Sequence, residues 1–287
     1  MSDLLPLDPL PLDRMPGGRW LVACDLDQTL IYSRGAFRLP EGTPEPALQV
    51  AEIYGGGASS FLTARAARLL TQVAARAELV PVTTRTLEQY RRIDLGVRCR
   101  YAVTANGGSL LIDGEPDATW EATVRRRLAD SGRPLDEVLG LAERWADPAW
   151  VRTLRVADDF FVYLVAHERD LIPDLTDLEA ELVADGWTLS VQGRKVYLVP
   201  AALTKQAALA EVAARCGPSA VAAAGDSLLD AGMLEAVDAA VRPAHGELHD
   251  ARWTRPHVRV TERSGLLGGE QVVETLLAVA GVTVPAG

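Results

Sequence analysis

The chain has 287 residues, 48% of them hydrophobic and 24% charged, with a formal net charge of −10. That length suits one large or two modest domains, and the acidic balance argues against non-specific binding to nucleic acid or to an acidic membrane surface. A small anionic substrate stays open, because local cations can outweigh the net field. No run of about 18 apolar residues exists, so no transmembrane helix is expected. Met1-Ser2-Asp3-Leu4-Leu5-Pro6 lacks a basic region followed by an apolar core, so residues 1–17 read as an extended tail and not as a secretory signal. Cys24, Cys99 and Cys216 are scattered without metal spacing, a disulfide framework is not indicated, and the cytoplasm is the expected compartment.

In chain order, Trp20-Leu21-Val22-Ala23 opens a buried strand that ends near Asp25. Residues 31–46, with several prolines and glycines, read as a loop or flap. Leu48 to Tyr54 reads as a strand that turns through Gly55-Gly56-Gly57. A helix over 63–77 with Thr63 as N-cap, a strand over 79–83 and a helix around 86–94 follow. Tyr101-Ala102-Val103-Thr104 is a strand that turns at Asn106-Gly107-Gly108 and pairs back through Ser109–Ile112. Such alternation predicts a parallel sheet with helices on both faces.

The pattern then changes. Helices are expected at 119–130, 134–146 and 174–185, and strands at 151–157, 160–166, 187–191 and 195–199, which together make an α+β unit with an antiparallel sheet. Alternation resumes after Pro200 with a helix at 204–215, a strand at 219–224, a helix at 228–236, strands at 238–241 and 257–260, and a helix at 269–280. The expected fold is α/β: a Rossmann-like, doubly wound parallel sheet formed by 18–112 and 200–287, with an α+β cap domain inserted over 113–199.

Asp25 and Asp27 sit side by side at the carboxyl end of an apolar strand, where α/β sheets bind ligands. Two adjacent anions there are costly unless a cation or a shared proton compensates. Three further segments stand at element ends: Val80-Pro81-Val82-Thr83-Thr84-Arg85, Thr204-Lys205-Gln206 and Ala224-Gly225-Asp226-Ser227-Leu228-Leu229-Asp230. In this order they resemble the motifs of the haloacid dehalogenase (HAD) superfamily of phosphatases, from about Gly18 to the last helix. The insertion is similar to the larger cap of the branch that includes sucrose-phosphate phosphatase. The segments Leu30-Ile31-Tyr32-Ser33 and Pro243–Leu248 look like a bacterial subgroup associated with stress proteins.

The resemblance implies a phosphomonoester hydrolase acting on a small phosphorylated metabolite, with a sugar phosphate first. A phosphomutase, a nucleotide-type phosphatase and a non-catalytic binding protein are the alternatives. Asp25 would attack phosphorus to give an aspartyl phosphate, and Asp27 would protonate the leaving oxygen, its pKa raised by the neighbouring carboxylate. Thr83 would hold a phosphoryl oxygen, with Thr84 open as the rival hydroxyl because it stands where the family usually has Gly. Lys205 would neutralise Asp25 and the phosphoryl charge. Oxygen ligands without a histidine cluster suit Mg²⁺, held by Asp25, the Asp27 carbonyl, Asp226 and, directly or through water, Asp230. Arg85, Asn106, Gly107, Arg194 and Lys195 are the candidate substrate contacts. No role is assigned to His167, His245, His249 or His257, and oligomeric state is not legible.

Overall fold

The computed structural model describes residues 19–280, so the tail expected over 1–17 lies outside the described residues. The apolar run Trp20–Cys24 forms β1, buried from Leu21 onward. After a tight turn and one 3-10 turn, a hairpin pairs β2 (Leu48–Tyr54) with β3 (Gly57–Thr63). Helix α1 (Ala64–Arg76) starts where the Thr63 hydroxyl accepts from the Ala66 N–H, as expected of an N-cap, and leads into β4 (Ala77–Pro81).

The helix expected at 86–94 is only one turn, α2 (Leu87–Tyr90), despite a complete Thr86–Gln89 capping box. The chain is drawn out of the helix because Ile93 bridges Glu52 on β2 and the Asp94 N–H donates to the Ala51 carbonyl. Strands β5 (Tyr101–Thr104) and β6 (Ser109–Ile112) form the expected hairpin, and β7 (Glu115–Pro116) adds to it.

Next come α3 (Ala118–Ala129) and α4 (Leu135–Trp145), then β8 (Val151–Ala157), β9 (Phe161–Ala166), α5 (Thr176–Ala184), β10 (Trp187–Gln192) and β11 (Lys195–Pro200). The four strands make an antiparallel sheet in the order β10-β11-β9-β8. The chain continues through α6 (Lys205–Cys216), β12 (Val221–Ala224), a 3-10 turn with the short α7 (Ala231–Glu235), β13 (Ala239–Arg242), α8 (Glu247–Asp250), β14 (Val258–Val260) and α9 (Gly265–Val279).

Five strands form the parallel sheet, in the order β14-β13-β12-β1-β4, and a parallel bridge from Val82 to Val103 carries it towards β5. Alternate residues of the strands feed opposite faces. Val22, Cys24, Leu79, Ala222 and Ala224 pack with residues of α1 and α9. Leu21, Ala23, Val80 and Ala223 pack with Ala208, Leu209 and Met233 in a cluster that runs on without a break into the antiparallel sheet. The Cys24 thiol is fully buried and burial pushes its pKa up, which fits a small core residue and not a reactive thiol.

Further elements differ from expectation, the helix expected at 228–236 being divided into the 3-10 turn Leu228–Asp230 and α7. Helix α9 begins at Gly265, four residues earlier than the glycine-rich segment suggested. A Cβ on Gly269 would lie 2.5 Å from the Tyr32 ring, so glycine there lets the helix approach the 29–32 turn. The one-turn α8 carries no apolar periodicity long enough to read.

Candidate active site

Every motif meets at the carboxyl ends of β1, β4 and β12. Asp25 follows β1, and its N–H donates to the Ala224 carbonyl of β12. Asp226 follows β12, and Lys205 opens α6, whose N-cap Thr204 accepts from the Ala207 N–H. Asp25, Asp226 and Asp230 are 5%, 2% and 0% exposed, and each offers a carboxylate oxygen within 4.8 Å of the others. The Lys205 ammonium, 1% exposed, donates to Asp25 Oδ1 and to Asp230 Oδ1, both at 2.6 Å.

One lysine facing three buried carboxylates leaves an excess of negative charge. Burial is the main reason that the pKa values of Asp25 and Asp226 are raised, and repulsion from Asp230 adds to both. Lys205 is held charged by Asp230 and Asp25, against the cost of its own burial. An all-oxygen, anion-rich donor set of this kind fits a hard divalent cation, and Asp25, Asp226 and Asp230 are the side chains that offer an oxygen to one.

Asp230 has a further task. Its Oδ1 takes Lys205, and its Oδ2 accepts from the N–H groups of Asp226 and Ser227 (3.2 and 2.9 Å) and from the Ser227 hydroxyl (2.7 Å). Asp230 therefore orients Lys205 and the Asp226 loop, while its carboxylate stays within reach of the oxygens of Asp25 and Asp226, so direct and water-mediated ligation both remain open.

Asp27 also departs from expectation. Its carboxylate is not in the acidic cluster but in a two-point pair with Arg85, Nε to Oδ2 at 2.7 Å and Nη2 to Oδ1 at 2.8 Å. Although burial opposes it, this guanidinium holds the Asp27 pKa down to about 2. The neighbouring carboxylate, expected to raise it, does not decide the balance.

Arg85, expected at the substrate, is itself anchored from behind. Glu52 on β2 accepts from it at 3.0 Å and also binds Arg92 (3.1 Å) and the Ser60 hydroxyl (3.0 Å). Glu52 and Ser60 belong to the β2–β3 hairpin, which the sequence marks only as a strand and a turn. An acid at a position where neither the alternation nor a motif calls for one is its only signal there.

The turn carrying Asp27 is fixed by Tyr32 and His245, which lie in the segments 30–33 and 243–248 but to which the sequence assigns no role. The Gln28 carbonyl accepts from the Tyr32 hydroxyl and from His245 Nε2, each at 2.8 Å, while His245 Nδ1 accepts from the Gly265 N–H. Those partners require neutral His245 with its proton on Nε2. Burial accordingly pushes its pKa down to about 4.

Thr83 is buried and its hydroxyl accepts from the Arg85 N–H at 3.1 Å, whereas the Thr84 hydroxyl turns towards the Tyr197 hydroxyl at 3.5 Å. Asn106 Nδ2 donates to the Leu203 carbonyl (2.8 Å) while its buried Oδ1 has no hydrogen-bond partner, and a Cβ on Gly107, whose φ is +105°, would lie 2.4 Å from the Thr204 carbonyl oxygen. This turn therefore braces the chain just ahead of Lys205. Arg194 and Lys195, at the β10–β11 hairpin, line with Asp27 and Tyr197 a cleft of about 810 Å³.

No protein-family model and no curated relative matches the chain. Solved structures do. A sucrose-phosphatase from Synechocystis sp. PCC6803, in complex with sucrose and phosphate, is similar at 16% identity over 92% of this chain and 98% of that one, with a TM-score of 0.62. The chain has the HAD fold. A HAD-superfamily phosphatase from Bacteroides thetaiotaomicron is similar at 13% identity over 98% and 100% of the two chains (TM-score 0.53). A trehalose-6-phosphate phosphatase related protein is similar at 16% identity over 90% and 97% (TM-score 0.53). The HAD fold extends over nearly the whole length of each, so the antiparallel sheet falls within the matched architecture. Among the described residues no helix is long and apolar enough to cross a membrane.

Proposed function

We propose that the protein is a Mg²⁺-dependent phosphomonoester hydrolase of the HAD superfamily acting on a small phosphorylated metabolite, with sugar phosphates first among candidates. The observation that carries this reading is the Lys205 ammonium, buried and shared at 2.6 Å between Asp25 and Asp230 with Asp226 alongside. Such a cluster is costly for a fold alone and useful for a transferring phosphoryl group. The sugar phosphatases among the structural neighbours support the substrate class.

In this reading Asp25 attacks phosphorus, the bond to the leaving oxygen breaks, and water then cleaves the aspartyl phosphate. Lys205, fixed by Asp230, faces the phosphoryl charge together with the buried Thr83 hydroxyl. A divalent cation held by Asp25, Asp226 and the Asp27 carbonyl supplies charge neutralisation and alignment. Asp27 gives a proton to the leaving oxygen, which requires its pair with Arg85 to open. Because Arg85 is also bound to Glu52, it has a second anion to stay with when Asp27 lets go.

Residues 113–199 are taken as a cap over the site. Its contacts with the core include the Leu87 N–H to Asp158 Oδ2 (2.8 Å), and Glu247 accepting from the Ser190 hydroxyl (2.7 Å) and the Val191 N–H (2.6 Å). We keep the cytoplasm as its compartment.

The test is turnover of a panel of phosphate esters with and without Mg²⁺, for the wild type and Asp25→Asn. Mg²⁺-dependent release of phosphate, lost in the variant, supports the reading. Transfer to sugar in place of water would make it a phosphomutase, and no turnover of any ester would sink it.

A further inference from the structure

The cleft above Asp27 holds more positive charge than a single phosphoryl group needs. The phosphoryl end is served from below by Lys205 and the acid-bound cation, yet Arg38, Arg169, Arg194 and Lys195 also line the cleft. They come from both sides, Arg38 from the loop after β1 and the other three from the cap. Among the described residues none of the four is in an ion pair, in a chain whose net charge is −10. Arg38 donates to Gln28 Oε1 (3.2 Å), Arg169 to the Gly193 carbonyl (3.1 Å) and Arg194 to the His167 carbonyl (3.1 Å), while the Lys195 ammonium stands 5.9 Å from the Tyr197 ring centre. The acids of the cleft are Glu168 and Asp27, and Asp27 is already neutralised by Arg85; Arg38 and Arg169 also line a smaller adjoining cavity with Asp226, Glu247 and Asp250, with none of which they form an ion pair. A neutral sugar is recognised by side chains that both donate and accept, whereas guanidinium and ammonium groups only donate and prefer anionic oxygens.

Resting on the phosphatase reading above, we propose that the substrate carries a second anionic group, a carboxylate or a second phosphate, beyond the scissile phosphoryl group, and that Arg38 and Arg169 bind it. Lys195 lines the same cleft together with Asp27. The cleft volume of about 810 Å³ accommodates a ligand of that length.

The experiment measures binding to the full chain carrying Asp25→Asn, with Mg²⁺ at fixed ionic strength, by calorimetry on two matched pairs. These are 3-phosphoglycerate against glycerol 3-phosphate, which adds a carboxylate, and fructose 1,6-bisphosphate against fructose 6-phosphate, which adds a phosphate. The expected result is at least tenfold tighter binding of the doubly acidic member in one pair, and which pair responds identifies the group. Adding Arg38→Gln with Arg169→Gln should erase that preference by weakening the doubly acidic member to the affinity of its singly acidic partner. Equal affinities within both pairs, or a preference that survives the double variant, overturns the proposal. Failure of the phosphatase reading is seen separately, as absence of turnover of every ester by the wild type.

Discussion

The floor of the site and its roof treat charge in opposite ways. On the floor, Asp25, Asp27, Asp230, Lys205 and Arg85 are engaged with one another or with Glu52, at 2.6–3.0 Å. On the roof, Arg194 and Lys195 of the cap have no ion pair among the described residues, and Arg169 and Arg194 make only carbonyl contacts. Groups that must meet a reacting atom in one geometry are held by other protein groups before substrate arrives, which is how preorganisation lowers a barrier. Groups that must recognise a ligand keep their charge available for it. Substitutions on the floor should therefore act on kcat, and those on the roof on KM.

The largest effect that would break this contrast is at Asp25. Asp25→Asn should lower aryl phosphate turnover by at least about 10⁴-fold, the scale on which loss of a nucleophile acts. The metal-free melting temperature should hold or rise, since one of three crowded carboxylates is neutralised while Oδ1 can still accept from Lys205. Steady-state kinetics and calorimetry test both, and turnover within tenfold of wild type removes Asp25 from the nucleophile role.

Asp230→Asn sharpens the floor further. An amide NH₂ would face either Lys205 or the donors of Asp226 and Ser227, and it can satisfy only one side. If Asp230 orients Lys205, kcat should fall about 10²-fold while Mg²⁺ affinity, titrated by thermal shift, changes much less. A large loss of Mg²⁺ affinity would instead make Asp230 a ligand.

Glu52→Gln should have a smaller effect, roughly tenfold on kcat, with a signature of its own. Arg85 would lose its second anion and bind Asp27 more firmly, so delivery of a proton to the leaving oxygen should suffer. An alkyl phosphate needs that proton, and a nitrophenyl phosphate, whose leaving group is a stable anion, does not. The loss should therefore be several-fold greater for the alkyl ester. Equal losses would mean that Glu52 supports only the packing of the β2–β3 hairpin.

The motif carboxylates and Lys205 were legible because each stands at an element end marked by an apolar strand or a helix start, and the alternation of elements places those ends at one edge. What stayed hidden depends on distant pairing. Glu52, bonded to Ser60 across the β2–β3 hairpin, reaches Arg85 only through the tertiary fold, and nothing in a strand followed by three glycines reports that. The short α2 was misread for the same reason, since Ile93 pairs with β2 and overrides a sound capping signal. The Asn106 turn reads equally as a substrate contact or an ordinary tight turn, and Arg85 as a cation beside the site; the sequence does not show that Arg85 is paired with Asp27 and Glu52 and that Asn106 donates to the Leu203 carbonyl. His245 was passed over because a lone histidine has no spacing to read, yet its two ring nitrogens tie the 27–28 turn to the start of α9.

His245 gives the smallest expected effect, on stability alone. Its pKa is near 6.5 in the unfolded chain and about 4 in the folded one, where burial dominates. As pH falls through 6.5 the unfolded state takes up a proton that the folded state refuses, so this group's contribution is full above pH 6.5 and is lost progressively down to about pH 4. At roughly 1.4 kcal/mol per pH unit the loss is at most about 3.5 kcal/mol. Asp25 and Asp226, with raised values, act in the opposite direction, gaining stability as pH falls. The comparison must therefore be the difference between wild type and His245→Gln, both saturated with Mg²⁺ to keep those carboxylates ionised. Gln can still donate to the Gln28 carbonyl or accept from the Gly265 N–H, so the variant should fold. Between pH 7.5 and pH 5 the wild type should lose more melting temperature than the variant. Parallel curves would show that His245 titrates normally and does not hold the Asp27 turn in its neutral form.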